Sequence, residues 1–140
     1  MSKRTEQKTE RLTHANELIK IIAAHGRRFF FCDITGRTAH LMMDERGRIW
    51  LHDEYSGEFI YTHPTTWTNK WRGFSHGGTL RGLVEMMRDY IVRGEPIPAY
   101  FLGQERRNLA DGNIWGYPPE DMKLVRSKAA VLPIIDGGSA

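Results

Sequence analysis

The chain has 140 residues, of which 40% are apolar, 11% aromatic and 26% charged, with a net charge of +3. That length suits one domain, the apolar runs fall short of the ~18 residues a membrane span needs, and the single cysteine, Cys32, supplies neither an intramolecular disulfide nor a cysteine-rich zinc site. A membrane-spanning helix, a disulfide scaffold and a wholly disordered chain are thereby excluded as classes, and the polar start from Met1 to Arg11 carries no secretory signal, so a cytoplasmic protein is expected.

Residues 1–8 are polar and expected to fray, ahead of a single domain over 9–136 and a flexible Gly-Gly-Ser-Ala tail over 137–140. From about Thr9 the spacing of Leu12, Ala15, Leu18, Ile19 and Ile22 predicts an amphipathic helix. Thr9 or Thr13 is its cap candidate and Gly26 its stop.

Residues 27–63 predict a four-stranded antiparallel meander: Arg28–Asp33, Arg37–Met43, Arg48–Asp53 and Glu58–His63. Turn residues separate the strands at Thr35-Gly36, Asp44-Glu45-Arg46-Gly47 and Glu54-Tyr55-Ser56-Gly57. A connection over 64–78 holds Trp67, Trp71 and His76. A second helix follows from about Leu80 to Val92, with Thr79 as cap and Gly94 with Pro96 as stop. Leu80, Leu83, Val84, Met87 and Ile91 form its apolar stripe, and Arg81, Glu85 and Arg88 its charged side.

The last third is ambiguous. Ile97–Leu102 has the character of a fifth strand, held to an edge by Pro98. Pro118-Pro119-Glu120-Asp121 resembles a helix start, with acids at the positive end of the dipole. Ala129–Ile135 reads alternatively as a strand interrupted by Pro133. The expected class is α+β: a meander of four to five strands with an N-terminal helix and a second helix packed on one face.

Strand alternation divides the meander into two faces. A four-residue turn at Asp44–Gly47 pairs Met43 with Arg48 and Leu41 with Trp50. A four-residue turn at Glu54–Gly57 pairs His52 with Phe59 and Trp50 with Tyr61. One face then carries Phe30, Cys32, Leu41, Trp50, His52, Phe59 and Tyr61. The other carries Phe29, Phe31, Met42, Ile49, Leu51 and Ile60, an aliphatic floor for the helices. The first face is either a binding platform or a second layer of core beneath residues 67–74 and 100–117.

Trp50, His52, Phe59 and Tyr61 are the candidate partner-binding residues, with Trp115 and Tyr117 as additions from a proline-punctuated aromatic loop. Asp44, Glu45, Asp53, Glu54 and Glu58 surround that face. Carboxylates repel phosphates, so the rim favours a protein partner with a basic surface, such as part of a nucleic-acid-binding complex. Size and composition suit a phage- or plasmid-encoded accessory protein that inhibits a host nucleic-acid machine by surface occlusion.

Charge along the chain supplies the alternative. Residues 1–28 carry a net +4, residues 29–63 a net −3 and residues 64–140 a net +2. Arg4, Lys8, Arg11, Arg27, Arg28, Lys70 and Arg72 are the candidates for direct nucleic-acid contact. The helix–strands–helix order has the outline of double-stranded-RNA-binding domains. The entry to the second helix, Ser75-His76-Gly77-Gly78-Thr79-Leu80-Arg81, holds one basic side chain where those domains place several, and a fourth strand is a further departure, so the resemblance is topological only and the match is not adopted. A third reading is a small enzyme using His52 or His76. No histidine pair has helical zinc-site spacing and Ser75-His76 has no orienting acid, so no metal, cofactor or catalytic set is assigned.

Overall fold

The computed structural model describes residues 3–25, 30–32, 34–54, 57–62, 78–98 and 119–136. The first helix, α1, spans Lys3–His25, six residues earlier than its apolar stripe alone predicts. The added turns are built from lysine, arginine, glutamate and glutamine, which lose little side-chain freedom in a helix. Thr9 and Thr13 consequently sit inside α1. Their hydroxyls donate to Thr5 O at 2.9 Å and Thr9 O at 3.2 Å instead of capping free amides.

Strand β1 (Phe31–Cys32) pairs antiparallel with β2 (Arg37–Thr38). Strands β3 (His40–Met43), β4 (Ile49–His52) and β5 (Phe59–Tyr61) form a separate antiparallel sheet in the order β3-β4-β5. The expected continuous meander is therefore divided at Ala39. That residue's amide turns to Phe30 O at 2.7 Å, while the next residue, His40, pairs with His52.

Helix α2 spans Gly78–Arg93, and its end is closed by the Gly94 amide bonded to Tyr90 O at 2.7 Å. Gly94 has φ +78°, the left-handed conformation that glycine enters without a Cβ penalty. Helix α3 spans Pro119–Ala129, with Glu120 and Asp121 in its first turn as the acid–dipole pattern predicts. The strand alternative over Ala129–Ile135 is corrected to a turn, bonded from Leu132 N to Ala129 O and from Ile135 N to Leu132 O. Strand β7 (Ile135–Asp136) begins only after it and pairs in parallel with β6 (Ile97–Pro98). Three helices with small antiparallel sheets make this an α+β fold among the described residues, with fewer paired strands than a single meander would have.

The core lies between the helices and one face of the three-stranded sheet. Ala15, Leu18, Ile19 and Ile22 of α1 are fully buried, as are Leu83, Val84, Met87 and Ile91 of α2. They meet Leu41, Ile49, Leu51 and Ile60 from the sheet and Val125, Ala129 and Ile134 from the C-terminal part in one cluster. Each fully buried aliphatic side chain contributes roughly 1.5–3 kcal/mol by leaving water.

Polar contacts fix the helix arrangement. Arg11 Nε donates to Ile91 O at 2.9 Å, satisfying a carbonyl that the end of α2 leaves open. His14 Nδ1 and the Tyr90 hydroxyl stand 2.7 Å apart, and burial pushes the Tyr90 hydroxyl pKa up.

Candidate functional site: the outer sheet face

The hairpin between β3 and β4 sets which side chains share a face. Asp44 N donates to Arg48 O and Gly47 N to Asp44 O, each at 3.0 Å. Asp44 thus opposes Arg48, and the loop is the three residues Glu45, Arg46 and Gly47. Gly47 has φ +78°, the left-handed residue that a three-residue hairpin loop requires. The loop is one residue shorter than the four-residue reading, and a one-residue slip moves a whole strand's side chains to the opposite face.

The observed pairs are accordingly His40 with His52, Leu41 with Leu51, Met42 with Trp50 and Met43 with Ile49. Leu41 is corrected from the aromatic face to the core, and Met42 from the core floor to the outside. Phe30 and Cys32, also expected beside Trp50, are buried. Phe31 is half-buried and Phe29 lies outside the described residues.

The second hairpin follows the expected register: Trp50 pairs with Tyr61 and His52 with Phe59. Bonds from Asp53 N to Glu58 O and from Thr62 N to Ile49 O fix the ladder's phase. Trp50–Tyr61 and His52–Phe59 are then non-hydrogen-bonded pairs, the positions where cross-strand side chains stand closest. Their ring centroids are 4.8 Å and 4.6 Å apart. His40 extends the second rung, with its ring 5.2 Å from that of His52. Arg48 Cζ lies 5.9 Å from the centre of Tyr61, within cation–π range.

Two rungs therefore cross the outer face: Met42, Trp50, Tyr61 and His40, His52, Phe59. Phe59 is 55% exposed and Met42 38%, whereas Ile60, between Phe59 and Tyr61, is 2% exposed on the opposite face. Trp50, His52 and Tyr61 are half-buried.

The expected acidic rim is smaller than its five carboxylates suggest. Asp44 is committed to the turn. Its Oδ1 accepts the amides of Arg46 and Arg48 and its Oδ2 accepts the Trp50 indole N–H, all at 2.9 Å. The indole bond and the Arg48 amide hold the Asp44 carboxyl below its ordinary pKa. Asp53 is buried. Glu54 Oε2 comes within 2.6 Å of His52 Nδ1. That nitrogen is buried and has no aligned hydrogen bond. Glu45 and Glu58 are exposed.

A family model, YoqU, matches residues 5–138. The chain belongs to the YoqU family. It is 28% identical over 131 residues to the "SPbeta prophage-derived uncharacterized protein YoqU" of Bacillus subtilis (strain 168), an alignment covering 94% of this chain and 87% of that relative. No solved structure matches.

In this YoqU-family chain the basic candidates separate. Arg4 is exposed, Arg11 is bonded to the end of α2, and Lys8 reaches the β3–β4 turn, with Nζ 3.2 Å from where a Cβ on Gly47 would stand. Arg27, Arg28, Lys70, Arg72, His76, Trp115 and Tyr117 lie outside the described residues. Among the described residues no group of three or more His, Cys, Asp or Glu is placed to hold a metal ion, and no helix is long and apolar enough to cross a membrane.

Sequence reasoning missed His40, Met42 and the carboxylate–indole bond from Asp44 to Trp50. The signal was present in Asp44-Glu45-Arg46-Gly47. An aspartate that can bond to amides two and four residues on, with a glycine at the third loop position, marks the three-residue loop.

Proposed function

We propose that this protein is a non-enzymatic interaction module of a mobile genetic element, which docks on a host protein through the outer face of β3–β4–β5 and occludes that partner's surface. The observation that carries this reading is the placement of Phe59 and Met42, exposed beside Trp50 and Tyr61 on the side of the sheet facing away from the core. Aromatic and methionine side chains are enriched at the centres of interfaces, and a contiguous apolar patch marks an interaction site. The prophage-derived relative supports an accessory role. A component of a nucleic-acid-handling complex is the partner class that suits the exposed Glu45 and Glu58, because such components present basic surfaces.

The test is a photocrosslinking amino acid placed at Phe59 and, as a control on α1, at Glu10, in the full chain expressed in the host. A protein adduct specific to position 59 is expected. It should survive nuclease treatment and be lost in Trp50→Ala or Tyr61→Ala variants whose melting temperature is nearly unchanged. An adduct made of nucleic acid, equal labelling from both positions, or loss of the fold in the two alanine variants overturns the reading.

A further inference from the structure

The sheet brings two histidines side by side. His40 of β3 and His52 of β4 are directly opposed in the ladder, which sets their Cβ atoms about 5 Å apart on the outer face. Their ring centres are 5.2 Å apart, and the rings are tilted by 38° rather than stacked flat. Two imidazoles that share one tetrahedral zinc, each bound at about 2.0–2.1 Å, also have ring centres about 5 Å apart.

Both rings have a nitrogen to offer. His40 is exposed, and among the described residues its side chain makes no hydrogen bond or ion pair. In His52 one nitrogen is committed: Nδ1 is buried and stands 2.6 Å from Glu54 Oε2. A lone pair that close to a carboxylate oxygen would be repelled, so Nδ1 carries the proton and Nε2 the free lone pair. This is the tautomer of a histidine ligand, which binds a metal through one nitrogen while a carboxylate behind it holds the other.

Glu54 is a second, independent observation. Its side chain is only 7% exposed, and buried charges are paired or placed beside metal ions. Among the described residues no lysine or arginine pairs with Glu54. The Phe59 ring, 4.6 Å from that of His52, shields the other flank of the imidazole with apolar surface.

We propose that Nε2 of His52 and a ring nitrogen of His40 bind a divalent ion of the zinc class, with Glu54 orienting His52 and offsetting the ion's charge. Imidazole selects this class over magnesium and calcium, which take oxygen ligands. No third histidine, cysteine, aspartate or glutamate among the described residues joins the pair. Water therefore fills the remaining positions, and the affinity is below that of a four-ligand structural zinc. The ion needs no docked partner, so this site stands or falls separately from the docking surface.

The experiment titrates zinc chloride into the metal-free full chain near neutral pH, where neutral imidazole is available, and follows the 15N-histidine side-chain signals. The His40 and His52 signals are expected to move together and saturably, and excess magnesium chloride should move neither. Glu54→Gln should weaken zinc binding about ten- to a hundredfold, as loss of an orienting carboxylate does, and His40→Ala by at least as much. His25→Ala, on α1, should leave the affinity unchanged.

Unchanged zinc affinity in His40→Ala, movement of one ring without the other, or an equal response to magnesium overturns the inference. His40 is exposed and the wild-type spectra need no variant, so a poorly folding Glu54→Gln leaves the test intact. A crosslinked partner at position 59 with no zinc response removes the ion and leaves the docking surface. Zinc binding without a face-dependent partner does the reverse.

Discussion

Asp44 shows how one side chain organises both a turn and a surface. Its carboxylate accepts three N–H donors, and these bonds favour the ionised form, which holds the carboxyl below the ordinary value of 3.8. A carboxyl whose pKa is depressed on folding stabilises the native state above its unfolded pKa, and that contribution fades as pH falls through the folded value. Asp44→Asn should therefore be less stable than wild type at pH 6, since the new amide NH2 would face the Trp50 indole N–H, donor against donor. The gap should close progressively below about pH 4. Urea unfolding of both proteins between pH 6 and pH 2.5 checks this, and a gap that stays constant across the range refutes it. The chemistry of this residue was only half legible in the sequence. Asp44 reads as a turn acid, but its bond to Trp50 depends on the loop having three residues, which follows only once Gly47 is read as the left-handed third residue of the loop.

At the scale of elements, the exposed edge of β3 is managed by a helix. In the β3–β4 ladder, His40–His52 and Met42–Trp50 exchange the backbone bonds, so the amide and carbonyl of Leu41 point away from β4. Asn16 of α1 meets both: its Oδ1 accepts the Leu41 amide at 2.7 Å and its Nδ2 donates to the Leu41 carbonyl at 3.0 Å. A side-chain amide thus stands in for a neighbouring strand and blocks an edge that would otherwise pair with another chain. Asn16→Ala removes two hydrogen bonds and should cost roughly 1–3 kcal/mol. Hydrogen exchange at the Leu41 amide should accelerate, and soluble yield should fall on heating. Unchanged exchange at Leu41 would show that other groups protect that edge. The helices and strands themselves were largely legible, because apolar spacing and turn residues are local signals. The split of the meander at Ala39 was not, since it depends on Phe30 taking the amide of Ala39 and on Asn16 of α1 taking the outward backbone groups of Leu41 in β3. Asn16 gave no warning either: within the α1 pattern it reads as an ordinary polar residue next to a buried alanine.

For the molecule as a whole, the division between a helix-packed face and an outward face is the feature on which the functional reading stands. It can be measured within one strand. Ile60 and Phe59 are neighbours in β5, but Ile60 is 2% exposed in the cluster with α1 and α2, and Phe59 is 55% exposed against His52. Truncating a buried isoleucine removes transfer energy and leaves a cavity, so Ile60→Ala should destabilise by about 2–5 kcal/mol. A phenylalanine this exposed has little burial to lose, and Phe59→Ala should cost less than about 1 kcal/mol despite removing more atoms. Denaturant unfolding of the two variants gives the comparison directly, with the same m-value expected for both because neither alters the surface exposed on unfolding by much. If Phe59→Ala proved as damaging as Ile60→Ala, the ring would have to be packed within the fold in solution, and no docking surface would remain beside it. A large cost at position 60 with a small one at position 59 would show that the Phe59 ring is not held by the core and stays available for contact with another molecule, since the fold gains little from keeping a large ring in water.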